Sequence, residues 1–161
     1  MTIKVGDKIP SVTLRQVTPE GPKEITTDEF FAGKKVALFA VPGAFTPACS
    51  QRHLPGYVDK ASDIKAKGVD EIACVAVNDA AVMGAWGKDQ RAEGKVSMLA
   101  DGSGDFVRAL GLELDLSKNG LGIRSKRYSM LVDNGVVKSL NVEQQPGQVD
   151  TSSAETMLKA P

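Results

Sequence analysis

Short apolar runs, closed at each end by glycine, proline or paired charge, set the rhythm of the chain. Val36-Ala37-Leu38-Phe39-Ala40-Val41 lies between Lys34-Lys35 and Pro42-Gly43, and Ile72-Ala73-Cys74-Val75-Ala76-Val77 repeats the pattern. Runs of this length without alternation predict strands buried on both faces, and residues 96–100 predict a third. Ser11-Val12-Thr13-Leu14-Arg15 instead alternates polar and apolar, as a half-buried strand does. The turn residues of Thr18-Pro19-Glu20-Gly21-Pro22 then make it the first arm of an N-terminal β-hairpin. Residues 128–132 and 136–140 flank Asp133-Asn134-Gly135, and an Asn-Gly pair between two such runs is a strong hairpin signal.

Between the strands the spacing turns helical. Residues 27–31 predict one turn ended by Gly33; Leu54, Val58, Ala61 and Ile64 recur at helical spacing up to Gly68. Residues 80–88 predict a helix, and residues 105–110 a short one closed by Gly111. Hydroxyl side chains at 151–153 followed by Glu155 open a C-terminal helix that runs through Leu158. The order β-α-β-α-β-α-β-β-α is that of an α/β protein with a mixed central sheet flanked by helices, although the order alone permits more than one fold.

Composition narrows the function classes. The chain has 161 residues, enough for one buried core, and no repeat or linker divides it, so residues 1–161 read as one domain. Twenty basic residues balance twenty acidic ones, which argues against a nucleic-acid surface or a polybasic membrane patch. No apolar stretch reaches the length of a membrane span, and the first residues do not read as a leader, so a cytoplasmic protein is expected. Two cysteines do not make a secreted disulfide framework. In a reducing compartment they are either inert filler or redox-active groups.

Cys49 has the context of a reactive one. In Pro42-Gly43-Ala44-Phe45-Thr46-Pro47-Ala48-Cys49-Ser50 a strand ends at Pro42 and a helix begins at Pro47, where a missing N–H costs nothing. Thr46 takes the N-cap, and Cys49 falls in the first turn, where free N–H groups and the helix dipole stabilise an anion. The Thr46 hydroxyl is able to bond either the backbone or the sulfur. An accessible thiolate so placed attacks a peroxide O–O bond and becomes a sulfenic acid.

Pro42-x-x-x-Thr46-x-x-Cys49 resembles the active-site signature of the peroxiredoxins, and PGAFTPACS is similar to the type II, or peroxiredoxin-5-like, branch, which usually has Thr where Ala48 stands. The resemblance runs on through His53-Leu54-Pro55-Gly56, Val77-Asn78-Asp79, Ala85-Trp86-Gly87-Lys88, residues 100–104, residues 120–128 and Ser152-Ser153-Ala154-Glu155. It implies a thioredoxin-like fold and reduction of hydrogen peroxide and small organic hydroperoxides without metal or organic cofactor. By position it implies Cys49 as the peroxidatic cysteine, Thr46 as the hydroxyl that orients the peroxide and Pro42 as the shield of the thiolate. It implies Arg127 as the arginine that polarises both; without the resemblance, Arg127 reads as a solvated loop charge. Glutathione with glutaredoxin, or thioredoxin, is the implied reductant, and a homodimer the implied assembly. Ala80-Ala81 replaces the Pro-Phe that relatives often carry near the dimer contact.

Other residues leave alternatives open. Cys74 reads either as a resolving thiol, as in plant-type relatives, or as a buried strand residue that cannot reach Cys49 without local unfolding. His53 lies one turn beyond Cys49 on the same helix, poorly placed for a base, and reads as a surface or packing residue. Trp86 reads as core, active-site lining or dimer face. One histidine and two separated cysteines make no metal site, and Asp101-Gly102-Ser103-Gly104 lacks the ending of a phosphate loop. Two rival functions stand beside the peroxidase. A disulfide oxidoreductase usually shows Cys-x-x-Cys, whereas residue 46 is Thr. A redox sensor or holdase predicts a reactive Cys49 with poor turnover.

Overall fold

Strand β3 (Lys35–Ala40) divides its side chains between two cores. Val36, Leu38 and Ala40 enter one buried cluster, while Ala37 and Phe39 enter the other. Strand β4 (Glu71–Ala76) does the same, with Ala73 and Val75 on one side and Ile72, Cys74 and Ala76 on the other. Successive strand side chains point to opposite faces, so a sheet covered on both sides needs continuous apolar runs.

The computed structural model describes residues 2–161. Strands β1 (Thr13–Thr18), β2 (Gly21–Thr26), β5 (Ser97–Ala100), β8 (Tyr128–Asp133) and β9 (Val136–Val142) join β3 and β4 in a seven-stranded sheet of order β2-β1-β5-β4-β3-β8-β9. The β3–β4 and β4–β5 pairs are parallel, and β3–β8 is antiparallel, so the sheet is mixed as expected. Helix α1 (Thr27–Phe31) follows the N-terminal hairpin. Helices α2 (Leu54–Asp59), α3 (Ala61–Ala66), α4 (Ala80–Asp89), α5 (Asp105–Leu110) and α6 (Ala154–Met157) complete the flanking layers. This is the thioredoxin-like α/β arrangement.

Pairing direction is what builds the site. In the antiparallel β3–β8 pair, Ala40 faces Tyr128, so the residue entering β8, Arg127, meets the loop that leaves β3. In the parallel β3–β4 pair the loop leaving β4 comes to the same edge, where the Asn78 side chain accepts from Ala44 N–H at 2.9 Å.

Three expectations shift. The predicted turn at 18–22 is tighter: Thr18 pairs with Gly21, and Pro22 lies in β2, an edge strand, where a missing N–H is tolerated. The helix read from residue 54 to Gly68 breaks at Lys60 (φ −102°, ψ 11°) into α2 and α3. The C-terminal helix is shorter than expected, four residues capped by Ser153. Unforeseen from the pattern is a separate ribbon of strands β6 (Glu113–Leu116) and β7 (Gly122–Ser125), joined by a 3-10 turn at Ser117–Asn119. Its strands are four residues each, and only Ser125 is buried, so they lack the continuous apolar run that marked the central strands.

Candidate active site

The helix carrying Cys49 starts at Pro47, as the sequence predicts, with the Thr46 carbonyl accepting from Ser50 N–H at 2.9 Å. From Cys49 to His53 it widens into a π turn, in which Leu54 N–H reaches back to the Cys49 carbonyl. Pro55 accounts for the widening. It has no N–H to continue the ladder, and its ring crowds the carbonyl four residues back. Single π turns of this kind tend to occur at functional sites.

The Thr46 hydroxyl stands 2.9 Å from Cys49 Sγ and 2.6 Å from the Gly43 carbonyl. It therefore serves the sulfur and the loop rather than the helix backbone. Its single proton goes to one acceptor at a time. Phe45 has φ 64°, a left-handed conformation that costs a bulky residue of order 1–3 kcal/mol. Pro42 is buried where β3 gives way to this loop.

Arg127 comes from the far side. Arg127 is 2% exposed, so the reading of a solvated loop charge is wrong. Nη2 donates to Cys49 Sγ at 3.1 Å, Nε to the Pro146 carbonyl at 2.9 Å, and Nη1 lies 2.8 Å from His53 Nδ1. A guanidinium only donates, so His53 Nδ1 must accept, and the His53 proton sits on Nε2, which donates to the Ser152 carbonyl at 3.0 Å. Burial, and then the neighbouring Arg127 charge, push the His53 pKa down to about 3, against a smaller opposing effect of the Ser152 carbonyl. His53 is thus a neutral acceptor that orients Arg127, a role that its spacing from Cys49 did not reveal.

A buried carboxylate holds the outer part of this assembly. Glu143 Oε2 accepts from Asp150 N–H (2.7 Å), Ser152 N–H (2.8 Å) and Ser152 Oγ (2.6 Å). That loop in turn offers the Pro146 carbonyl to Arg127, the Gly147 carbonyl to Arg52, and the Ser152 carbonyl to His53 and Tyr57. No local sequence signal singles out Glu143, since its partners lie in a loop without regular structure.

Trp86 is fully buried, and its indole N–H donates to Ser50 Oγ at 2.9 Å, tying α4 to the residue after Cys49. The core reading of Trp86 is right, and it also touches the site. Cys49 itself exposes no surface, which corrects the expectation of an accessible thiol: Pro42, Gly43 and Arg127 are buried around it. Cys74 is equally buried in mid-β4, with both thiols free. Burial, then Cys49, push its pKa up, with Arg127 opposing. Asp101 accepts from the N–H groups of Phe106 and Val107, so the 101–104 segment starts α5, as read. Among the described residues, no group of three or more His, Cys, Asp or Glu is placed to hold a metal ion, and no helix is long and apolar enough to cross a membrane.

The Redoxin family matches residues 4–158 of the chain. Peroxiredoxin-2E-2, chloroplastic, of Oryza sativa subsp. japonica is 56% identical over 164 residues, covering 99% of this chain and 72% of the relative. Peroxiredoxin-2D of Arabidopsis thaliana is 49% identical over 159 residues, covering 98% of each. Among solved structures, reduced Prx3 in complex with H2O2 from Vibrio vulnificus has a TM-score of 0.93 and 56% identity, with 99% of each chain covered.

Proposed function

The chain belongs to the peroxiredoxins, in their type II branch, and from that membership we propose a division of labour among its site residues. It is a thiol peroxidase. The observation that carries the assignment of roles is the pair of donors on one sulfur: Thr46 Oγ1 at 2.9 Å and Arg127 Nη2 at 3.1 Å from Cys49 Sγ.

The Cys49 thiolate attacks one oxygen of the hydroperoxide. An S–O bond forms, the O–O bond breaks, and the other oxygen leaves as hydroxide or alkoxide, which takes up a proton to become water or alcohol. Cys49 is left as a sulfenic acid. Negative charge moves from sulfur to the departing oxygen, so donors fixed near both hold more charge in the transition state than water would. Arg127 supplies fixed positive charge, Thr46 a hydroxyl, and Pro42 a buried wall against solvent.

Cys74 stays a bystander in this reading, and an external thiol completes the cycle. Its support is the position of Cys74 in the buried part of β4, between Phe39 and Met98 on the neighbouring strands. A first thiol, from glutathione with glutaredoxin or from thioredoxin, attacks the sulfenic acid and releases water; a second thiol breaks the mixed disulfide. Two free cysteines suit a reducing compartment, the cytoplasm in our reading, and exposed Ile123 offers apolar surface for a homodimer.

Intact mass after one equivalent of hydrogen peroxide, with a sulfenic-acid trap present, tests this. The expected product is one adduct on Cys49, absent in Cys49→Ser. Loss of two hydrogens without an adduct would make Cys74 the resolving partner. A Cys49 thiol still free after minutes would falsify the assignment of Cys49 as nucleophile.

A further inference from the structure

Two arginines three residues apart reach the loop around Cys49, and only one of them is used up. Arg127 is buried and spends its guanidinium on Pro146, His53 and Cys49. Arg124, at the end of β7, is half-buried. Its Nε donates to the Leu121 carbonyl at 2.8 Å and its Nη1 to the Val77 carbonyl at 3.2 Å. Nη2 has no protein acceptor among the described residues, and no carboxylate there lies within 4.0 Å of the group. Two carbonyls thus orient the guanidinium without neutralising it.

Its position ties it to the reactive loop. A Cβ built on Gly43 would stand 3.3 Å from Arg124 Nη1 and 3.2 Å from Thr46 Cγ2, so the cation lies against the residue whose carbonyl accepts from Thr46. A side chain at position 43 would displace it. Of the large apolar residues exposed among the described residues, Phe45 lies on the same loop, two residues beyond Gly43, whereas Ile123 alternates to the other face of β7. A fixed cation without a counter-ion, against the loop that carries exposed Phe45, suits a small reactant with an apolar body and a carboxylate.

We propose that Arg124 binds the carboxylate of such a reactant at the mouth of the Cys49 site and so selects carboxylate-bearing reactants over neutral ones of the same shape. The inference rests on the peroxidase reading. The carboxylate has two possible sources, an organic hydroperoxide or a small thiol reductant, since both must approach Cys49.

Stopped-flow fluorescence of Trp86, the single tryptophan, reports Cys49 oxidation through its bond to Ser50. Rates are compared for the hydroperoxide of 4-isopropylbenzoic acid and for cumene hydroperoxide, which lacks the carboxylate. Reduction of oxidised Cys49 is followed with glutathione and with its diethyl ester. Arg124→Gln is expected to lower the carboxylate-to-neutral rate ratio about fivefold, as for a partly exposed ion pair, and Arg124→Lys to restore most of it. The wild-type ratio should also fall with added salt. A ratio that changes only in the hydroperoxide pair, or only in the thiol pair, supports the proposal and names the source. An equal loss for charged and neutral reactants would make Arg124 a structural staple, and no change at all would leave it without a role; either overturns the proposal. Failure of wild-type Cys49 to react with hydrogen peroxide would sink the peroxidase reading instead.

Discussion

Cys49 and Cys74 lie in the same apolar cluster, and neither exposes any surface. Their neighbours differ. Cys49 sits at the start of a helix with a hydroxyl and a guanidinium aimed at its sulfur. Cys74 sits in the middle of β4 and has no hydrogen-bond donor on its sulfur among the described residues; burial pushes its pKa up. Burial alone therefore makes a thiol inert, because it removes water from the anion and returns nothing. The same burial with fixed donors strengthens each donor's hold on charge.

The largest expected contrast is between removal of the two sulfurs. Cys49→Ser should reduce peroxide turnover to background, whereas Cys74→Ala should keep the rate of Cys49 oxidation within about threefold, since the site retains both of its fixed donors. A collapse of that rate in Cys74→Ala, in a protein that still folds by circular dichroism, would break the comparison.

Next come the donors. Arg127→Gln or Thr46→Val should each lower the second-order rate constant for peroxide by about 10²- to 10³-fold, the range for loss of one preorganised donor. The stopped-flow rate of Cys49 oxidation checks this. A loss below tenfold in both variants would mean that the helix start alone activates the sulfur.

The smallest effect sharpens the comparison through His53. His53→Phe removes the acceptor of Arg127 and should cost about tenfold in the same rate, as for a hydrogen bond to a charged group, with His53→Gln recovering part of it. Stability carries a second signature. The neutral His53 of the folded state has a pKa of about 3, below its ordinary 6.5, so between these values the unfolded chain binds the extra proton. Its contribution is complete above pH 6.5 and is lost as the pH falls toward 3, with a slope of up to about 1.4 kcal/mol per pH unit. Denaturant unfolding from pH 7 to 4 should show that slope in the wild type and a shallower one in His53→Phe.

Local chemistry was legible in the chain. Asn134 (φ 49°) and Gly135 (φ 81°) make the hairpin that their dipeptide announces. The apolar runs at 36–41 and 72–77 became the buried strands, Pro47 opened the helix, and Gly111, at φ 71°, ended α5. Each signal acts over a few residues, through steric limits on φ and ψ, a missing N–H or an alternation of faces.

What only the tertiary structure decided lies between distant residues. Arg127 reaches Cys49 across 78 positions, and His53 reaches the Ser152 carbonyl across 99. A charge beside Lys126 has no local mark of burial; it is buried because β8 runs antiparallel to β3 and delivers it to the loop leaving that strand. His53 looked like a spare helix residue because spacing along the helix says nothing of what the sheet places opposite it. Propensity is a property of neighbours in sequence, whereas a buried polar network exists only once sheet order has brought its donors and acceptors within about 3 Å of one another.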